Sequence, residues 1–155
     1  MMSAPAATPR SVHLTDLSAT ANLGARLATL ARRGDVILLQ GPLGVGKTEL
    51  ARAFVREAAG DPTLEVPSPS FTLVQAYETR LGTVHHFDLW RLLGPEALGE
   101  LGWDEACNDI VLVEWPDRLG ALRPEGALTV TLQADVDDQR LATLSGWPDR
   151  IGSLA

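Results

Sequence analysis

Residues 36–54 read VILLQGPLGVGKTELARAF: an apolar run, a glycine-rich turn and an amphipathic stretch, in that order. Val36, Ile37, Leu38 and Leu39 are too continuously apolar for a strand with one wet face, so the run predicts a strand covered on both faces of a sheet. From Lys47 the period changes, and Leu50, Phe54 and Val55 face a core at helical spacing until Gly60, Asp61 and Pro62 stop the helix. Between the two, residues 41–48 satisfy GxxxxGK[ST] in full, through Gly41, Gly46, Lys47 and Thr48. Glycines let backbone N–H groups wrap phosphate oxygens, and the helix that follows adds its positive end. The stretch therefore predicts a nucleoside triphosphate site in which Lys47 reaches the β and γ phosphates and the Thr48 hydroxyl is a Mg²⁺ ligand.

The chain around this motif has room for one domain. At 155 residues, 45% apolar and 21% charged, it has the composition of a globular protein with a single core. The reading is a disordered N-terminal tail over residues 1–10 and one P-loop ATPase domain over 11–155. Thirteen basic residues against twenty acidic ones leave a net charge of −7, with no Lys/Arg stripe. Tight direct binding to a nucleic-acid backbone is disfavoured, so any role near RNA runs through a partner that supplies the positive surface. Cys107 is the only cysteine, which excludes an intrachain disulfide and a cysteine metal cluster and fits a reducing compartment. MMSAPAATPR lacks a signal-peptide core and no later run reaches transmembrane length, so the expectation is a cytoplasmic protein without a membrane.

Working outward, residues 11–14 predict a short edge strand. Asp16 or Ser18 then caps a helix carrying Leu23, Leu27 and Leu30, which ends at Gly34 and Asp35. Residues 67–70, PSPS, form a stiff loop. Residues 72–79 and 83–87 predict a hairpin around Leu81 and Gly82, residues 95–102 a short helix, and 110–113 a second strongly apolar strand. Residues 128–132 and 140–144 predict a closing hairpin across Asp135, Val136, Asp137 and Asp138.

A phosphate-bound Mg²⁺ keeps a near-octahedral oxygen shell and draws on a carboxylate, for which the end of a buried strand is the expected place. Glu114 closes IVLVE and is the candidate; the competing reading is a surface glutamate that happens to end a strand. Asp88, in HHFDLWRL, either orients the attacking water or a metal-bound water, or caps the following turn. His86 and Arg91 beside it have plain readings too, a solvated histidine and a surface ion-pair arginine. Ser70 and Thr72 sit in a loop that could close over the γ phosphate, or be there because serine and proline favour loops.

Taken together, GPLGVGKT, SPSFTLVQAY, HHFDLWRL, LGWDE and IVLVEWPDRL, in that order, resemble the TsaE (YjeE) family of bacterial ATPases in tRNA threonylcarbamoyladenosine biosynthesis, over about residues 16–140. The resemblance implies an α/β fold, a single-domain P-loop NTPase with a central mixed, largely parallel sheet flanked by helices. It implies ATP binding and slow Mg²⁺-dependent hydrolysis that supports the TsaB–TsaD complex, which transfers threonylcarbamoyl to adenosine 37 of tRNA; tRNA is then met only indirectly, and self-association stays open. By position, Leu43, Gly44, Val45, Gly46, Lys47 and Thr48 match the phosphate loop, Thr48 and Glu114 the Mg²⁺ site, and Lys47, Asp88 and Glu114 the catalytic set. Ser68 to Thr72 match the family's SPTFT loop, with Ser70 and Thr72 toward the nucleotide, Trp115 the tryptophan beside the metal-site glutamate, and Arg140 a C-terminal nucleotide contact. Two positions depart: Ser70 stands where the family's SPTF has threonine, and Trp90 where its DLYRL has tyrosine. Serine keeps the hydroxyl; tryptophan keeps the ring and loses the phenol.

Other uses of a phosphate loop are weighed on the same residues. A small-molecule kinase uses a lid carrying several arginines, and the arginines here are scattered. A GTPase reads guanine with NKxD, which is missing, and Asp88 lacks a glycine three residues on. A nucleotide-gated binding module with little hydrolysis uses the same residues as a slow ATPase.

Overall fold

In the computed structural model, which describes residues 8–154, the first half of the chain runs β1 (Arg10–Leu14), α1 (Leu17–Leu30), β2 (Val36–Gln40), α2 (Lys47–Ala59) and the hairpin β3 (Val74–Thr79) and β4 (Gly82–Asp88). A 3₁₀ segment Pro95–Leu101 leads into the one-turn helix α3 (Trp103–Ala106), then β5 (Ile110–Glu114), a second 3₁₀ segment Pro116–Leu122, and the hairpin β6 (Leu128–Ala134) and β7 (Arg140–Ser145). The seven strands form one sheet in the order β1-β7-β6-β2-β5-β4-β3. Its middle, β6-β2-β5-β4, is parallel throughout, while β7 and β3 run the opposite way, so five of the seven strands share a direction. The sheet is thus mixed and largely parallel, and the 36–39 run lies in its centre, buried on both sides.

Strand alternation splits the core into two layers. Ile37, Leu39, Ile110 and Leu112 face α1 and α2, while Val36, Leu38, Val111 and Val113 face α3 and the two 3₁₀ segments. Phe54 of α2 is fully buried in the first layer and Phe87 of β4 in the second, where it meets Trp103 edge-on at 5.2 Å. Each such side chain contributes about 1.5–3 kcal/mol by leaving water. The axis of α2 is also fixed from above: a Cβ on Gly24 of α1 would collide with the Leu50 carbonyl, so only glycine lets the two helices approach this closely.

Most expected boundaries hold within two residues. Asp16, not Ser18, caps α1, its carboxylate accepting from the Ala19 N–H at 2.8 Å. The first strand begins at Arg10, inside the expected tail; residues 1–7 of that tail lie outside the described residues. The strand expected from Thr72 begins at Val74, because Leu73 adopts a left-handed conformation (φ 67°) after a turn closed by its N–H on the Pro69 carbonyl at 2.7 Å. Residues expected as a short helix over 95–102 wind as a 3₁₀ segment. Among the described residues no helix is long and apolar enough to cross a membrane.

Candidate functional site

The sheet brings its polar residues to one end. Gln40, Asp88 and Glu114 are the last residues of three neighbouring parallel strands, and Asp88 and Glu114 are direct register partners. The loop over residues 41–46 leaves β2 at this end and delivers the chain to the start of α2. Gly41 has φ 147°, and a Cβ there would lie 2.5 Å from the Leu132 carbonyl and 2.8 Å from the Val45 side chain, so the turn off the strand requires glycine. Gly46, left-handed at φ 116°, caps α2 without a side chain, leaving the first-turn N–H groups facing the cleft with no side-chain acceptor. Such a helix start favours an anion.

Lys47 is 4% exposed. Its Nζ donates to the Gly41 carbonyl at 2.5 Å and lies 3.3 Å from the centre of the Trp115 ring. Burial pushes its pKa below the ordinary lysine value, against the opposing pull of Glu114, Asp88 and Asp117. On the next residue, the Thr48 hydroxyl reaches both oxygens of Glu114, at 2.9 and 3.0 Å. Glu114 is 3% exposed, so it is no surface glutamate. Nor is His86 a solvated histidine: it is fully buried, with Nε2 2.7 Å from Glu114 Oε2. Asp88 does cap the next turn, Oδ1 accepting from the Trp90 N–H at 3.0 Å, while Oδ2 accepts from the Ser68 hydroxyl at 3.3 Å. One carboxylate oxygen is thus spent on the backbone and the other faces the 67–72 loop.

Lys47, Thr48, Asp88, Glu114 and Ser68 line a cleft of about 500 Å³, whose mouth carries the exposed side chains of Leu17, Leu43 and Trp90. Of the expected set, Leu43, Gly44, Gly46, Lys47, Thr48, Ser70, Asp88 and Glu114 all line it. Val45, Thr72 and Arg140 do not. Val45 packs into the core, Thr72 is exposed, and Arg140 braces the loop from behind, its Nε donating to the Val45 carbonyl at 3.2 Å. Arg91 makes no ion pair among the described residues; its guanidinium lies over the exposed Phe71 ring at 4.6 Å. Trp90 packs tilted against Trp115, with ring centres 4.3 Å apart and 47° between planes, a contact that needs an aromatic ring and no phenol. Trp115 itself is left-handed (φ 58°), a strain on the order of 1–3 kcal/mol that holds its ring beside Lys47.

One cleft residue, Arg52, was missed in the sequence, and His86, buried behind Glu114, was weighed there beside its plain reading as a solvated histidine. Arg52 sits four residues after Thr48, hence on the same helix face, pairing with Glu49 at 2.6 Å and donating to the Val66 carbonyl at 3.1 Å. His86 lies two residues before Asp88, hence on the same strand face. The helical period that places Arg52 was readable; the partner of His86, set by the pairing of β4 with β5, was not.

Comparison with known proteins bears on this site. A family model described as threonylcarbamoyl adenosine biosynthesis protein TsaE matches residues 14–142. The chain belongs to the TsaE family. Among TsaE relatives, a tRNA threonylcarbamoyladenosine biosynthesis protein TsaE of Rickettsia felis is 36% identical over 126 residues, covering 81% of this chain and 73% of the relative. That of Bacillus subtilis is 31% identical over 147 residues, covering 94% and 89%. The crystal structure of Bacillus subtilis YdiB superimposes with a TM-score of 0.75 at 24% identity, over 95% of this chain and 91% of that one, a likeness of fold. Every residue that lines the cleft falls inside the segment matched by the TsaE model.

Proposed function

We propose that the cleft binds ATP with Mg²⁺, and that its slow hydrolysis in the cytoplasm supports tRNA threonylcarbamoyladenosine biosynthesis by keeping the TsaB–TsaD transferase turning over. The observation that carries the site is the Thr48 hydroxyl on the Glu114 carboxylate beside buried Lys47, at the open start of α2. The pathway follows from family membership, and the slow rate and the partner from the resemblance of motifs.

The residues present fit the implied cation. Among the described residues no three His, Cys, Asp or Glu side chains converge into a self-sufficient metal site, which suits a Mg²⁺ that takes much of its shell from phosphates and water. Thr48 and Glu114 would hold it; when bound, it neutralises charge on the β and γ phosphates. The chain's own residues supply the rest. Lys47 gives up the Gly41 carbonyl for a phosphate oxygen, the α2 N–H groups and those of Gly44 and Gly46 take phosphate oxygens, and Asp88 positions water through the oxygen now shared with Ser68. Ser70 faces the cleft from the loop that a bound phosphate would order.

The acidic chain, at −7, fits a protein that reaches tRNA through partners. Reconstituted tRNA modification should continue past the first turnover only when this chain and ATP are both present. Cycling indifferent to the chain would assign it another client, and transfer of phosphate to a small acceptor would make it a kinase.

A further inference from the structure

Glu114 has two hydrogen-bond donors among the described residues, the Thr48 hydroxyl and the His86 ring, and they approach from different elements: Thr48 from α2, His86 from β4. The Thr48 hydroxyl has one proton and straddles both carboxylate oxygens, so it can pin only one of them at a time. His86 is different. Its ring is wholly buried, held by the sheet, and its Nε2 lies 2.7 Å from Oε2, a distance normal for a charge-assisted hydrogen bond. A carboxylate only accepts, so Nε2 carries the proton and donates; the other ring nitrogen, Nδ1, is buried without any partner. A buried imidazole that leaves one nitrogen unsatisfied to give the other to Glu114 is placed for that carboxylate, since an apolar side chain would fill the same space without the cost of an orphaned polar atom.

We infer that His86 is a positioning residue for the cation: it holds Glu114 through Oε2, leaving Oε1 and the Thr48 hydroxyl to face the cleft. This rests on the proposed ATP and Mg²⁺ site. Thr48 must turn its oxygen away from Glu114 to meet a cation, and from then on His86 is the one remaining group that fixes the carboxylate. Groups that orient a metal-binding side chain from behind are worth about 10- to 100-fold in metal affinity when removed. Because the one hydrogen bond of His86 goes to Glu114 and none to residues 41–47, nucleotide affinity without metal should not depend on it.

The test is equilibrium binding of a fluorescent ATP analogue to the full chain, in EDTA and across a Mg²⁺ titration, for the wild type and for His86→Gln, His86→Asn and His86→Ala. Glutamine sets its amide N–H near the place of Nε2; asparagine, shorter, sets it near Nδ1. The expected result is unchanged affinity in EDTA for all four. The Mg²⁺ concentration for half-maximal tightening should rise about 10- to 100-fold in the Ala and Asn variants and be largely restored in the Gln variant. Should His86→Ala fail to fold, the Gln and Asn pair decides alone. Equal Mg²⁺ dependence of those two overturns the inference, as does a wild-type midpoint in all variants. A wild type whose affinity ignores Mg²⁺ overturns the underlying site instead, and the inference with it.

Discussion

Lys47 spends its charge on Trp115: the ammonium lies 3.3 Å from the centre of the indole ring, with the Gly41 carbonyl as its only hydrogen-bond partner among the described residues. A cation over an aromatic face is worth about 0.5–2 kcal/mol, less than the hydration it replaces, which is why burial depresses the pKa of this side chain. The free protein therefore carries a charge that is not fully satisfied, held for an anion.

Lys47→Met should consequently lose ATP binding and melt higher than the wild type, by roughly 2–4 °C for about 1 kcal/mol relieved. The sign with pH follows from the depressed value. Between the folded pKa of Lys47 and its unfolded one near 10.5, the unfolded chain binds more protons, so wild-type stability rises relative to Lys47→Met as pH rises through that window. ATP affinity should fall over the same window, below the pH at which a free lysine would discharge. Paired thermal melts and binding curves from neutral to alkaline pH check both; a Lys47→Met protein that melts lower sinks the argument.

Thr48→Val keeps the shape and removes the hydroxyl, and Glu114→Gln keeps a hydrogen-bond partner for Thr48 and removes the charge. Both should reduce ATP hydrolysis by about 100-fold or more, since each removes one of the two groups the chain offers the cation. Affinity measured in EDTA should change little. Hydrolysis surviving at a tenth of the wild-type rate in either variant would move the cation site elsewhere.

Asp88→Asn retains the turn cap on the Trp90 N–H, because an amide oxygen accepts as the carboxylate did. Any loss should then come from the oxygen that faces Ser68. The expected outcome is a fall in kcat of about 10²-fold with ATP affinity within about threefold, the signature of a group that acts in the transition state. A large loss of affinity with kcat preserved would place Asp88 in the binding shell.

Arg140→Ala separates two roles. As a direct nucleotide contact it would cost about 1.5–3 kcal/mol, the range of a hydrogen bond to a charged group. As the brace seen behind the loop, donating to the Val45 carbonyl, it should cost about threefold or less in ATP affinity and lower the melting temperature slightly. Isothermal titration distinguishes the two.

The strand, glycine turn and helix over residues 36–59 were legible because the signals are local: glycines, lysine and threonine lie within eight residues, and the strand and helix that flank them have clean periods. The buried place of Glu114 was legible because it closes a continuously apolar strand, and such a strand lies inside the sheet. His86 escaped because a histidine's neighbours are decided by register across strands, and the pairing of β4 with β5 cannot be read from either strand alone. Arg140 shows the converse. Its sequence position suggested a nucleotide contact, while the turn of Asp137 and Asp138, both left-handed, aims it at the back of the loop. The start of β3 failed for a local reason, the left-handed Leu73, which no propensity of leucine announces.

The shared end of β4 and β5 also says where this gene can change length. Val84, His86 and Asp88 share one face of β4 because each is two residues from the next, so a single codon lost or gained at residue 85 would turn both polar side chains to the face opposite Val84. At the other end of the same hairpin, Arg80 and Leu81 make a two-residue turn outside the cleft, where insertions shift none of its lining residues. Drift in length within the family should therefore collect at that turn, and a relative with an indel at the middle of β4 should lack this arrangement of histidine and aspartate.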